Sequence, residues 1–177
     1  MNPTDSAALR LQDLAALWSV GECRAAAVVD AACDALVAGL DSPSLRILAA
    51  CTRAEADYDV HELLPPAFDE LGLVHSPFGD EEDALEDAAR ALARRMLAGE
   101  LTPREFTRRV HARYGHELEL TERVAELDDE YDDAEYHDRT PTDVEAAVVA
   151  EARRLAAQGH GGLLMPTPPA ARTTAPS

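Results

Sequence analysis

The residues with the greatest capacity for chemistry in this chain are carboxylates, and they are concentrated. Between positions 117 and 138 there are eleven acids and a single base, Arg123, a local charge of −10. Leu120, Val124, Leu127, Tyr131 and Ala134 recur at steps of four and three, the period of a helix buried on one side. That phase sends Glu122, Glu126, Asp129 and Asp133 along the solvent side, with Asp128, Asp132 and Glu135 flanking them. Like charges one helical turn apart cost about 0.2–0.5 kcal/mol per pair, and aspartates in series are poor helix formers. A segment that accepts both penalties presents an anionic surface. Three uses are open: a face that keeps the protein soluble, a docking surface for a basic protein, or a cation site. Those seven acids are the candidate partner-binding residues.

Other reactive groups are sparser. Six histidines, at 61, 75, 111, 116, 137 and 160, fall in neither H-E-x-x-H nor the Glu-x-x-His pattern of carboxylate bundles. Asp57 and His61 are one turn apart, and His137 adjoins the acidic run, but neither pair makes a ligand set. The run at 128–133 lacks the central glycine and terminal glutamate of a calcium loop. No metal and no cofactor is therefore expected. Cys23, Cys33 and Cys51 are odd in number and follow neither a disulfide nor a zinc pattern, which points to reduced thiols acting as small core residues. No nucleophile elbow, phosphate-cradling glycine loop, Cys-His signature or dinucleotide fingerprint is present. The chain reads as a non-enzyme, and no residue is a candidate for catalysis. A second cluster opposes the first: Arg104, Arg108, Arg109 and Arg113 give positions 101–116 a net charge of +3. Their simplest role is to neutralise the acidic helix within the same molecule; binding an anionic ligand is the alternative.

The elements that must position these groups are helices. Helical periodicity covers 5–20 (Asp5 as N-cap; Leu9, Leu14, Leu17 and Trp18 inward) and 22–38 (Val29, Cys33, Leu36 and Val37 inward). A short helix at 43–51 follows Asp41-Ser42-Pro43, a capping side chain with proline at the first helical position. Residues 57–71 form another, bent or split by Pro65 and Pro66. A long helix at 81–98 carries the stripe Leu85, Ala88, Ala89, Leu92 and Met96, with Glu86 and Arg90 as an outward pair. Thr102-Pro103-Arg104-Glu105 is a capping box that opens a helix ending near Gly115. The acidic helix follows, and Thr142-Asp143-Val144-Glu145 is a second capping box opening a helix to about 158. Tyr58, Phe68, Phe78 and Phe106 are expected in the core. The fold class is all-α, a compact bundle of about six to eight helices. Residues 1–73 and 80–158 are two helical halves packed as one domain, with a boundary at 74–79. Residues 159–177, rich in proline and nearly uncharged, read as a disordered tail.

Composition narrows the class further. Hydrophobic residues are 46% and charged residues 28% of the chain, ordinary globular usage that excludes wholesale disorder. The formal net charge is −18, from 34 acids and 16 bases, and every base is arginine. A field of that sign repels nucleic acid and anionic lipid and favours a basic protein partner. No apolar run reaches the roughly 18–20 residues of a membrane span, and the first residues do not read as a signal peptide. A cytoplasmic location is expected.

Four stretches also carry a resemblance. They are Asp34-Ala-Leu-Val-Ala-Gly-Leu-Asp-Ser-Pro-Ser-Leu-Arg-Ile-Leu-Ala49, Glu62-Leu-Leu-Pro-Pro-Ala-Phe-Asp-Glu-Leu-Gly-Leu73, Gly99-Glu-Leu-Thr-Pro-Arg-Glu-Phe106 and Leu127-Asp-Asp-Glu-Tyr-Asp132. The chain resembles, over about 30–155, a small all-helical bacterial family without a characterised function. The resemblance implies a scaffold and assigns no activity, cofactor or site residue. The expected function is an acidic interaction protein, in its most specific form an immunity-like or antitoxin-like inhibitor and more broadly an adaptor. A metal-dependent or carboxylate-based enzyme is the alternative.

Overall fold

A computed structural model describes residues 2–73, 80–134 and 141–158. Among these residues the chain is helical throughout: α1 Pro3–Ser19, α2 Ala25–Val37, α3 Pro43–Ala50, α4 Ala56–Leu71, α5 Glu81–Leu97, α6 Pro103–Tyr114, a 3₁₀ turn Glu119–Thr121, α7 Glu122–Ala134 and α8 Pro141–Ala157. No described helix is long and apolar enough to cross a membrane. The expected tail at 159–177 and the boundary at 74–79, with His75 and Phe78, lie outside the described residues.

Local chemistry explains most helix starts. Ser42 accepts from the Leu45 amide at 3.1 Å, with Pro43 occupying the first helical position. Thr102 and Glu105 form the expected reciprocal box, the Thr102 amide donating to Glu105 at 2.9 Å. The first helix begins earlier than expected. Asn2, not Asp5, is its cap: the Asn2 side chain accepts from the Asp5 amide at 2.7 Å, and Pro3 starts the first turn. Likewise α8 starts at Pro141, which places Thr142 inside the first turn rather than at the cap. Pro65 and Pro66 do not split α4. The carbonyls they deprive of a donor belong to His61 and Glu62, which are exposed to water, while Val60, Leu64, Ala67 and Phe68 bury the opposite face.

Two cores form. The first joins α1 to α4 around Leu11, Val28, Leu45, Leu48, Leu64 and Phe68. The second joins α5 to α8 and the 3₁₀ turn around Leu92, Phe106, Val110, Leu127, Val148 and Leu155. Helix α1 serves both: Leu11 and Ala15 enter the first core, Leu17 enters the second, and Leu14 touches each. Its packing partner across the divide is α5.

The inner face of α2 differs from the expected one. Ala25, Val28, Val29, Ala31, Ala32 and Ala35 are buried, whereas Cys33 is exposed and Val37 is 91% exposed. Small side chains let the helices approach closely, so alanine rather than the larger apolar residues marks the interface. Tyr58, expected in the core, is 76% exposed, while Phe68 and Phe106 are fully buried. Arg90 does meet Glu86 at 2.7 Å, but the pair is not outward, because Arg90 is 7% exposed.

Candidate functional site

The acidic helix has the expected phase. Leu127 and Tyr131 are buried against the second core, and Asp129 and Asp133 face solvent. Opposite it runs α6, which packs on α7 through Phe106 and Val110. The polar side chains of these two helices meet at one corner of the molecule.

Asp128 is the centre of that corner and departs from the expectation of a surface acid. It is 7% exposed. One oxygen accepts from Arg104 Nη1 at 2.7 Å and from Thr107 Oγ1 at 2.8 Å. The other lies 3.1 Å from His111 Nδ1; a carboxylate oxygen can only accept, so that ring nitrogen carries the proton. Arg104 continues to Asp132, with which it forms a close ion pair, and its guanidinium stands 4.9 Å above the Tyr131 ring. Burial pushes the Tyr131 hydroxyl above its usual titration range.

The corner also gathers residues that spacing alone did not associate. His111 Nδ1 is 3.7 Å from Asp129 Oδ1, and His116 Nε2 is 3.4 Å from Asp129 Oδ2. The two imidazoles are stacked edge to face with centroids 5.1 Å apart. Gly115 makes this possible. It ends α6 at φ 57 and ψ −138, a region that side chains disfavour, and it turns the chain so that His116 folds back beside His111. Among the described residues, one ligand atom from each of His111, His116 and Asp129 lies within 4.8 Å of the others. The available sequence signal was two histidines flanking a helix-ending glycine; their approach to Asp129 is a tertiary contact with no local trace.

The remaining candidates distribute as follows. Glu122 is exposed in the first turn of α7. Glu126 is exposed and meets Arg123 at 2.8 Å, and the same arginine reaches Glu130 at 2.9 Å. Asp133 is exposed, and Glu135 and His137 lie outside the described residues. The arginines of α6 divide. Arg104 neutralises the acidic helix as expected; Arg113 instead donates to the Val20 carbonyl at 2.6 Å, at the end of α1. Arg108 and Arg109 are exposed and form no ion pair among the described residues. His61, considered with Asp57, lies against the Tyr58 carbonyl at 2.7 Å and Glu62 at 3.8 Å.

A separate cleft of about 630 Å³ opens between α1, α2 and α5, lined by Leu9, Leu14, Cys23, Asp30 and Leu97 over an Asp13–Arg94 floor. Arg94 Nε donates to Asp13 at 2.9 Å. Burial pushes the Asp13 carboxyl up, an effect that Arg94 opposes. Burial also lifts the Cys23 thiol to about 11, which keeps it mostly protonated at neutral pH.

Comparison of the chain with protein-family models, with curated proteins and with solved structures returned no match.

Proposed function

We propose that this is a non-enzymatic, cytoplasmic protein-interaction module that captures a basic partner on the outer face of α7, acting as an inhibitor of the immunity or antitoxin type or as an adaptor. The observation that carries this reading is the division of charge on α7. Arg104 holds Asp128 and Asp132 and Arg123 meets Glu126, yet Glu122, Glu126, Asp129 and Asp133 remain exposed in a protein of net charge −18. Such a face draws a cationic surface by long-range attraction, which acts mainly on the rate of encounter. Nucleic acid and anionic membrane are disfavoured by the same field.

The test is capture from the native cell with two baits. One is the wild-type protein; the other carries Glu122→Gln, Glu126→Gln and Asp133→Asn, which leave both Arg104 partners and Asp129 in place. A basic protein retained by the wild type and lost from the variant supports the reading. Identical retention on both baits removes it. A metal-dependent enzyme is the second reading, favoured by the convergence of His111, His116 and Asp129; the large cleft is lined by none of them.

A further inference from the structure

We propose that the α6–α7 corner is a binding site for one divalent transition-metal ion of the zinc class, with His111, His116 and Asp129 as its ligands. The donor set is two imidazole nitrogens and one carboxylate oxygen. That combination suits zinc and its neighbours among the late first-row metals, whereas magnesium and calcium take oxygen ligands almost exclusively.

The distances fit. Ligand atoms around a tetrahedral zinc, each about 2.0–2.2 Å from the ion, stand roughly 3.3–3.5 Å apart. His116 Nε2 and Asp129 Oδ2 are already at 3.4 Å, and all three donors fall within 4.8 Å. Three protein ligands leave one of four positions for water or another small ligand.

The support behind the ligands is built as well. Asp128 cannot swing away, since Arg104 and Thr107 hold one oxygen while the other fixes the His111 ring at 3.1 Å. With Nδ1–H engaged by Asp128, the His111 nitrogen left to ligate is Nε2, and a buried carboxylate behind a ligating histidine is the usual orienting partner in metal sites. Gly115 sets the position of His116 through backbone geometry rather than through a flexible tether. The local charge of −10 between 117 and 138 raises the concentration of any cation near the corner. A salt bridge between protonated histidines and Asp129 is the competing explanation for the same contacts, and it requires no metal.

The experiment is calorimetric titration of Zn²⁺ into the tag-free, chelator-treated full chain, with thermal melts in parallel. The wild type should bind one zinc per chain and melt at higher temperature when loaded. His116→Ala and Asp129→Asn each remove an exposed ligand, and each should weaken binding at least about 10-fold, the smaller effect seen even for supporting residues. Both should also lose the zinc-dependent rise in melting temperature. His61→Ala, a histidine beside an acid elsewhere on the surface, should bind as the wild type does, and excess Mg²⁺ should not compete. The assignment is overturned by an absence of saturable one-to-one binding, by affinities in the two ligand variants equal to the wild type, or by displacement with Mg²⁺. His116→Ala leaves every carboxylate of α7 intact, so a failure here is distinguishable from a failure of the docking face.

Discussion

Asp13 and Asp128 are buried to nearly the same extent, at 8% and 7% exposure, and each is held by an arginine from a different helix. Their surroundings differ. Asp13 lies where α1 meets α5 and has one strong partner, Arg94, whose side chain is itself only 22% exposed. Together with Arg10–Glu100 at 3.2 Å and Arg113 on the Val20 carbonyl, it joins the two cores. Asp128 collects three donors, and its arginine is 40% exposed and reaches onward to Asp132. One aspartate ends at a single arginine in the floor of the α1–α2–α5 cleft. The other begins a polar network that runs through half-buried His111 out to exposed His116 and the carboxylates of α7. Burial of an acid therefore says little about its role; the direction in which its partners lead says more.

The largest expected effect lies at the interior site. Asp13→Ala leaves Arg94 without its counter-ion in a poorly solvated place, and loss of one partner of a buried pair costs about 3–5 kcal/mol. Asp128→Ala should cost less, about 1–3 kcal/mol for donors left unpaired, because Arg104 can turn to water. Urea unfolding of the two variants measures the contrast. Equal losses would erase the distinction between them.

Gly115→Ala comes next. There is open space around the position, so the cost is backbone strain alone, about 1–3 kcal/mol. The variant should also shift His116 away from His111, visible as altered imidazole resonances. Normal stability together with unchanged resonances would show that the turn tolerates a side chain.

The smallest effects are in pH dependence, and they have opposite signs. Thr102 donates from its amide and hydroxyl to Glu105 and holds that carboxyl below its ordinary value of 4.5. The contribution of Glu105 is complete above that value and is lost as pH falls through the lower folded value. Burial holds Asp13 above its ordinary 3.8, so the folded protein binds that proton more readily than the unfolded chain does. The contribution of Asp13 therefore declines as pH rises from 3.8 through the folded value. Melting curves across acid pH should show Glu105→Gln weakening the loss on the acid side. Asp13→Asn should gain on the wild type as pH rises. The same sign for both would contradict the assigned environments.

Local rules account for what the sequence disclosed. Thr102 with Glu105, Pro43 behind Ser42 and the spacing of Val124, Leu127 and Tyr131 are contained in a few neighbouring residues, and each is found as expected, whereas Leu120 is half-buried in the 3₁₀ turn ahead of α7. Asp128 looked like a surface acid because its three donors come from α6, between 17 and 24 positions away. Asp13 and Arg94 are 81 positions apart and carry no mutual signal. The interior of α2 was misread because alanine, the commonest residue here, takes six of its 13 positions, buried and half-buried alike, and gives no clear period. The histidine corner depends on a glycine turn and a tertiary contact together, and neither is a spacing rule.

The central claim is that the outward carboxylates of α7 serve recognition rather than solubility. Its most direct test is the association rate of the captured basic partner, measured against ionic strength for the wild type and for the Glu122→Gln, Glu126→Gln, Asp133→Asn variant. Attraction across solvent fades as the screening length shrinks to about 8 Å at physiological salt. The account predicts an association rate that falls with salt in the wild type, and a slower, flatter dependence in the variant with little change in thermal stability. Superimposable rate–salt curves for the two proteins would contradict it.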